Sequence, residues 1–263
     1  MEKLRLGGMA LQNGVLVHGP TSWGAAVRDD TGAIRAAAGR KRTFAPHVQT
    51  PLVRGPLRLA EAFALLPDVR RALPEVRYPF ERPRVAAAVV AGSALAAAAR
   101  RSTLSALTRE SIAAIAALAP AAVALRGGDL SRYHGAEHVS IGTYERDGEP
   151  APKEHDRCGS HLLGPLLISS AAASALAARA PVGSRGAARL AGAVGAVAVS
   201  VEVFAWMERH PRNPVSRLLS RPGHELQRHL STQDPTADQL AVAEAALAAC
   251  LEAEAAAVEG SGT

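Results

Sequence analysis

The sequence predicts a mainly α-helical protein built around two helical hairpins, with a small β-hairpin region at the N-terminus. Apolar residues make up 48% of the 263-residue chain but aromatic residues only 3%, so Ala, Leu and Val carry the apolar content. This composition suits close helix packing better than a β-sandwich core, which needs β-branched and aromatic side chains. Four apolar stretches in the middle of the chain supply the helices of the predicted bundle.

The N-terminal region is expected to contain short strands and one amphipathic helix. The run Asp29-Asp30-Thr31-Gly32 favours a turn between strands at 23–28 and 33–38, because Asp and Gly tolerate positive φ. A further short strand is predicted at 15–17. Apolar residues at helical spacing predict an amphipathic helix over 57–73, after which three prolines break the chain.

The four apolar stretches are predicted to pair as two hairpins; they are residues 85–99, 112–125, 162–180 and 187–207. A membrane span needs about 20 apolar residues. The first two stretches are shorter than that, and Arg179 lies inside the third. Hydropathy alone therefore leaves open whether the helices cross a membrane or form the buried core of a soluble all-α domain.

The two ends of the chain and the loop between the hairpins would lie on one side of such a bundle. Basic residues there, including Arg84, Arg132 and Arg209, favour the cytoplasm for this side, whereas Arg100 and Arg101 on the opposite side weaken the argument. The net charge is +6, but the arginines are scattered without a dense basic run. We therefore expect contact with anionic membrane lipid and no nucleic-acid binding.

The C-terminal segment is predicted to end in a helix that starts at a capping box formed by Thr236 and Gln239. Cys250 lies beside the apolar face of this helix and is expected to act as a small buried hydrophobe. If the protein is a non-enzymatic scaffold, this helix is expected to dock an unknown protein partner. The only other cysteine, Cys158, is far away in the sequence, so no disulfide framework is expected.

Two short polar motifs between the hairpins carry the strongest functional signal; they read Tyr133-His134-Gly135-Ala136-Glu137-His138 and His155-Asp156-Arg157-Cys158-Gly159. On a helix, His134 and His138 share one face. The pattern His-x-x-Glu-His is the inverted zinc-protease signature, in which the Glu, here Glu137, activates water. His155 and Cys158 have the tight spacing of zinc-ribbon ligands.

Two metal-site geometries remain open, beside the alternative that the histidines bind no metal. In a closed structural site, His134, His138, His155 and Cys158 all bind the ion. In an open catalytic site, three of them bind, water takes the fourth position and Glu137 is the general base. Glu202, inside the last apolar stretch, could be a further ligand, the partner of an arginine such as Arg132, or a side chain that extends toward solvent.

Beyond these motifs, further short matches occur in a specific order along nearly the whole chain; they include Gly7-Gly8, Asn13-Gly14-Val15, Gly19-Pro20, Ala26-Val27-Arg28, Tyr144-Glu145, Pro222-Gly223, Gln227, Thr232, Pro235, Gln239 and Val242-Ala243. On these residues the chain resembles the YqhQ-like bacterial membrane proteins, a family of unknown function described as predicted metal-dependent enzymes. Asn13 stands where the family usually has Glu, and His18 where Arg is usual. The four potential ligands are retained.

The resemblance implies several membrane helices. The expected structure is therefore a four-helix membrane bundle at 84–208, with the motif loop at 127–161, an N-terminal region at 1–83 and a C-terminal segment at 209–263. We expect a multi-pass protein of the cell membrane with its motifs on the cytoplasmic side.

The leading functional hypothesis is a polytopic membrane protein with a zinc-type site; if the protein is an enzyme, metal-dependent hydrolysis of an unknown substrate is the reaction class that these residues favour. The rival is a non-enzymatic membrane scaffold with a closed structural metal site, and a soluble metal-free bundle is the third possibility.

Overall fold

The computed structural model describes residues 3–44, 47–125 and 128–259. The protein is mainly helical, with 65% of its residues in helices and a small antiparallel sheet near the N-terminus. Three predicted boundaries lie outside the described residues. They are the start of the predicted N-terminal region at residue 1, the start of the motif loop at residue 127 and the end of the C-terminal segment at residue 263.

The sheet is a four-stranded antiparallel meander; its strands are β1 (Gly7–Leu11), β2 (Gly14–His18), β3 (Ser22–Arg28) and β4 (Ile34–Arg40). The predicted hairpin is present as β3 and β4, and the Asp29 carboxylate accepts hydrogen bonds from the backbone amides of Thr31 and Ala33 in its turn. Strand β1 was not predicted, because its glycines and small side chains hide the alternation of a strand.

The helices pack on both faces of the sheet and extend away from it; they are α1 (Arg54–Phe63), α2 (Leu66–Ala72), α3 (Pro83–Arg101), α4 (Ala106–Leu125), α5 (Asp129–Glu145), α6 (Leu163–Ala178), α7 (Arg185–Arg209), α8 (Pro214–Leu226) and α9 (Ala237–Glu259). The single helix predicted over 57–73 is wrong, since the chain forms α1 and α2 with a break between them. The predicted C-terminal helix is confirmed as α9, and Thr236 and Gln239 form its capping box.

Alternate residues of the sheet face two separate cores. Val15 and Val17 pack with α5 and α9. Leu16 and Val27 face the other way and pack with α2. This is the two-residue period of a strand that is buried on both sides. Cys250 of α9 lies fully buried in the first core, as expected for a small hydrophobe.

The two predicted helical hairpins are both present, as α3 with α4 and α6 with α7. Among the described residues, however, only two segments are long and apolar enough to cross a membrane, Gly159–Ala178 and Val182–Arg209. A third is reached only if α4 and α5, which meet at 87°, count together as one broken span. The predicted bundle of four membrane helices is therefore not confirmed. The apolar stretches of the first hairpin are shorter than a membrane span requires, and α3 ends in two arginines.

The bend after α4 turns the chain from the helical hairpins onto the sheet. Consequently α5 packs against β1, β2 and α9 rather than among the hairpins. The molecule thus has a layer of helical hairpins and a layer formed by the sheet with α2, α5 and α9, and α5 carries the first polar motif in the second layer.

Candidate metal centre

The first motif lies on α5, whose helical geometry sets the positions of its histidines. His134 and His138 lie one turn apart, and their ring centroids are 4.4 Å from each other. His138 is almost fully buried, while His134 is partly exposed. The prediction that these two imidazoles share one helix face is confirmed.

The second motif forms a tight turn that returns to α5. The amide of Cys158 donates to the carbonyl of His155 at 3.2 Å, and the Cys158 sulfur accepts from the amide of Ser160 at 3.5 Å. This turn places Cys158 Sγ 3.5 Å from His134 Nε2. His134, His138 and Cys158, which we call the ligand group, each offer one ligand atom, and these atoms all lie within 4.8 Å of one another.

Hydrogen bonds fix the orientation of both imidazoles in the ligand group. His134 Nδ1 lies 2.8 Å from the carbonyl oxygen of Ser231, and His138 Nδ1 lies 2.6 Å from that of Lys153. A carbonyl only accepts, so both Nδ1 atoms carry a proton, and in the neutral imidazole Nε2 is then the nitrogen with a lone pair that can bind a cation. Metal-binding histidines are oriented by this arrangement of backbone acceptors.

Burial favours the uncharged forms of His138 and Cys158 when no cation is present. Burial, aided by His134, lowers the pKa of His138 to about 2, so this imidazole stays neutral, as a metal ligand must be. Burial also raises the pKa of the Cys158 thiol. A nearby cation would reverse this effect, because it favours the thiolate.

His155, the fourth predicted ligand, is not part of the ligand group. Its Nε2 lies 3.1 Å from a carboxylate oxygen of Glu145, and its Nδ1 accepts from the amide of Arg157 at 3.3 Å. Its ring centroid lies 5.5 Å from that of His138. Both nitrogens of His155 are therefore engaged within the protein, and Glu145 is also paired with the Arg157 guanidinium.

Gln227 holds the second motif in place, and sequence reasoning gave it no structural role. This fully buried side chain accepts from the His155 amide at 2.8 Å and lies 2.7 Å from Ser160 Oγ, to which it donates. It also lies 3.0 Å from His161 Nε2. Gln227 begins a π-helical turn that ends at Ser231, whose carbonyl orients His134. One irregular turn thus positions both motifs, and π-turns are frequent at functional sites.

Glu137 and the ligand group line one cavity of about 510 Å³. The Glu137 side chain is 6% exposed and lies against Gly8, where an added Cβ would come within 2.3 Å of its Oε1. Burial raises the pKa of Glu137 to about 8. A side chain at position 8 would therefore displace the Glu137 carboxyl group from its position in the cavity.

A second group of potential ligands consists of Asp156, His161 and His224. Both nitrogens of His161 are already engaged, since Nδ1 lies 3.1 Å from the Ser220 carbonyl and Nε2 lies 3.0 Å from the Gln227 amide nitrogen. Asp156 is almost fully exposed. These contacts suit a structural role, in which His161 helps to hold the second motif in place, better than metal binding.

Glu202 is not part of the ligand group and forms an ion pair with Arg54. Its carboxylate accepts from Arg54 Nε at 2.9 Å and from the Leu52 amide at 3.2 Å. Of the three alternatives for Glu202, pairing with an arginine is therefore the one present, with Arg54 of α1 in place of Arg132. This ion pair ties α1 to α7.

Comparisons with curated proteins and with solved structures gave no match. A comparison with protein families matched residues 93–253, a range that contains both polar motifs and most of α9. The family is described only as a protein of unknown function, and the YqhQ-like resemblance agrees with it. Because the match covers more than half of the sequence, the chain belongs to the DUF1385 family of proteins of unknown function.

Proposed function

We propose that this protein is a membrane-associated, metal-dependent hydrolase in which His134, His138 and Cys158 bind a zinc-type divalent ion. The observation that carries the proposal is the convergence of these three ligand atoms within 4.8 Å. Two ligands of one tetrahedral zinc ion, with bonds of about 2.1 Å to nitrogen and 2.3 Å to sulfur, lie about 3.6 Å apart. The distance between His134 Nε2 and Cys158 Sγ is 3.5 Å.

A zinc-type ion acts as a Lewis acid and lowers the pKa of a bound water to about 7. The chain's own residues supply the rest of the chemistry. Glu137 lines the same cavity and is adjacent on α5 to both histidines, so its carboxylate is placed to accept a proton from water and to return it to a leaving group. Burial raises its pKa to about 8, and a cation held by its neighbours would bring the pKa down toward neutrality.

The number of converging ligands favours an enzyme over a scaffold. Structural zinc sites are closed by four protein ligands, whereas catalytic sites keep one position open. Here three ligands converge beside a cavity, and His155 is held by Glu145 and the Arg157 amide. The bonds of His155 favour a role in orienting the turn that presents Cys158.

A thiol–imidazole pair without metal is the second candidate, because Cys158 Sγ and His134 Nε2 also lie within reach of a weak hydrogen bond. A catalytic cysteine needs a lowered pKa. Burial instead raises the pKa of Cys158. The metal-ligand role therefore fits this thiol better than the role of nucleophile.

For the membrane arrangement, we propose that α6 and α7 cross the cell membrane and that the ligand group lies on the cytoplasmic side. The support is the length and apolar content of these two segments, together with basic residues near their ends on the side of the sheet, such as Arg209 and Arg212. Lipid is the expected partner of the exposed faces of these helices, and no nucleic-acid interaction is proposed.

Elemental analysis of the purified full-length protein tests the proposed metal centre. We expect about one zinc-type ion per chain, a large loss in Cys158→Ser and His138→Ala, and retention in the matched control His229→Ala, whose side chain is exposed. His155→Ala should retain most of the metal, since three ligands remain. Unchanged metal content in Cys158→Ser would overturn the ligand assignment, and absence of metal from the wild type would leave the thiol–imidazole pair.

A further inference from the structure

We propose that the substrate of this site is a membrane lipid: an amphiphile whose polar group binds at the ligand group and whose alkyl chain lies along the apolar part of the cavity lining. This inference rests on the proposed function and specifies its substrate class. It follows from the lining of the cavity, the position of its mouth, and the attachment of α1 to the second helical hairpin.

The cavity lining combines polar side chains with a larger set of apolar ones. The polar side chains are those of the ligand group and of His18, Glu137, His155, Arg157 and Ser160. The remainder is mainly apolar and comes largely from β1, α1 and the end of α4; examples are Met9, Leu59, Ala62, Phe63 and Leu125. A peptide or a sugar would need polar partners along the apolar part of the lining, whereas an alkyl chain needs none. This combination matches a molecule with one polar group and a long apolar tail.

The apolar part of the lining reaches the protein surface at α1. Leu59 and Phe63 both line the cavity, yet their side chains are 42% and 53% exposed. Two large apolar side chains at the rim of a cavity disfavour contact with bulk water. They suit a mouth that faces acyl chains.

Contacts at the start of α1 attach this helix to α7. Arg54, the first residue of α1, makes a two-point ion pair with Glu202 of α7. The next residue, Gly55, lies so close to α7 that an added Cβ would come within 2.5 Å of Val201. Val201 and Glu202 lie in the last third of the longer apolar segment, 182–209. The helix that carries Leu59 and Phe63 is therefore anchored at its first turn to a helix proposed to cross the bilayer, and this attachment would let a lipid enter the cavity from the side.

The experiment uses the full-length protein in lipid nanodiscs, loaded with Co²⁺, whose visible absorption reports a change of its ligands. Two soluble probes that carry the same metal-binding group, acetohydroxamate and octanohydroxamate, are titrated in turn. The longer probe has six more methylenes, and burial of only three of them should tighten binding about 60-fold. We expect at least a tenfold preference for octanohydroxamate.

Two matched variants locate the alkyl chain. Phe63→Asn alters the cavity rim, whereas Phe44→Asn alters a phenylalanine that is similarly exposed, at 55%, and lies outside the lining. We expect Phe63→Asn to lose most of the preference for the longer probe without weakening acetohydroxamate binding, and Phe44→Asn to retain it. Equal affinities for the two probes, or a preference that survives in Phe63→Asn, would overturn the inference while leaving the metal centre intact.

A third arm tests the membrane as the source of the ligand. Hexadecanohydroxamate is incorporated into the nanodisc lipid, and the cobalt spectrum should shift as it does with the soluble long probe. A silent spectrum in this arm would refute entry from the bilayer. Failure of the wild-type protein to bind Co²⁺ at all would refute the proposed metal centre, and the lipid substrate with it.

Discussion

The substitution Gly135→Ala tests how closely α5 must approach the segment that orients His134. A Cβ at position 135 would lie 2.1 Å from the backbone carbonyl oxygen of Gln233. Backbone cannot move aside as a flexible side chain can, so α5 and this segment must separate. The separation would stretch the 2.8 Å hydrogen bond between His134 Nδ1 and the Ser231 carbonyl.

The expected size of the effect follows from three opposing contributions. Replacing Gly by Ala inside a helix stabilises by about 0.8–1 kcal/mol. Overpacking opposes this with about 1–3 kcal/mol, and loss of the His134 hydrogen bond adds about 0.5–1.5 kcal/mol. The net loss of stability is about 0.5–3.7 kcal/mol, which corresponds to a fall of about 1 to 15 °C in the unfolding midpoint. Loss of an orienting partner should also weaken metal binding about 10- to 100-fold.

Thermal unfolding in detergent and zinc titration against a chelating dye measure these two effects. Gly195→Ala in α7 is the matched control, because an added Cβ there meets nothing within 4 Å. It should be neutral or slightly stabilising and should leave zinc affinity unchanged. If Gly135→Ala unfolded at the wild-type temperature and bound zinc with wild-type affinity, the described contact between α5 and residue 233 would be wrong.

Further substitutions test the carboxyl group, the buried histidine and the supports of the site. Glu137→Gln should keep the metal content of the wild type but lower the rate of any hydrolysis by about 100-fold or more; metal loss in elemental analysis would instead make Glu137 a ligand. Burial lowers the pKa of His18 to about 4, below its unfolded value of about 6.5, so the unfolded state binds the extra proton. The His18 contribution to stability, up to about 3 kcal/mol, is therefore present above pH of about 6.5 and lost as the pH falls toward about 4. Denaturant titrations should show this slope reduced in His18→Asn, and an identical slope would contradict the assignment. Gln227→Ala should destabilise by about 1–3 kcal/mol, because it leaves buried partners unsatisfied, and an unchanged melting temperature would argue against its bracing role. Glu202→Gln should weaken the attachment of α1 to α7 and increase proteolysis within α1, with Arg54→Gln giving the same cleavage pattern; protection equal to the wild type would count against this ion pair as the anchor.

Local patterns in the sequence were sufficient to predict several elements of this protein. The Asp-Gly turn after β3, the capping box of α9 and the pairing of both helical hairpins depend on residues close together in the chain. The spacing of His134 and His138 likewise follows from helical geometry. Each of these features is set by the period of one element or by the chemistry of one turn, so an amino-acid sequence can reveal it.

The composition of the site depended on contacts between distant segments. His134 is oriented by Ser231, and the turn that carries Cys158 is held by Gln227, across 97 and about 70 residues of sequence. The same packing engages His155 with Glu145, and it pairs Glu202 with Arg54 over 148 residues. Sequence alone therefore determined which residue types were available for a metal centre. Only the tertiary structure decided which of them converge, because side-chain packing and long-range hydrogen bonds select the partners.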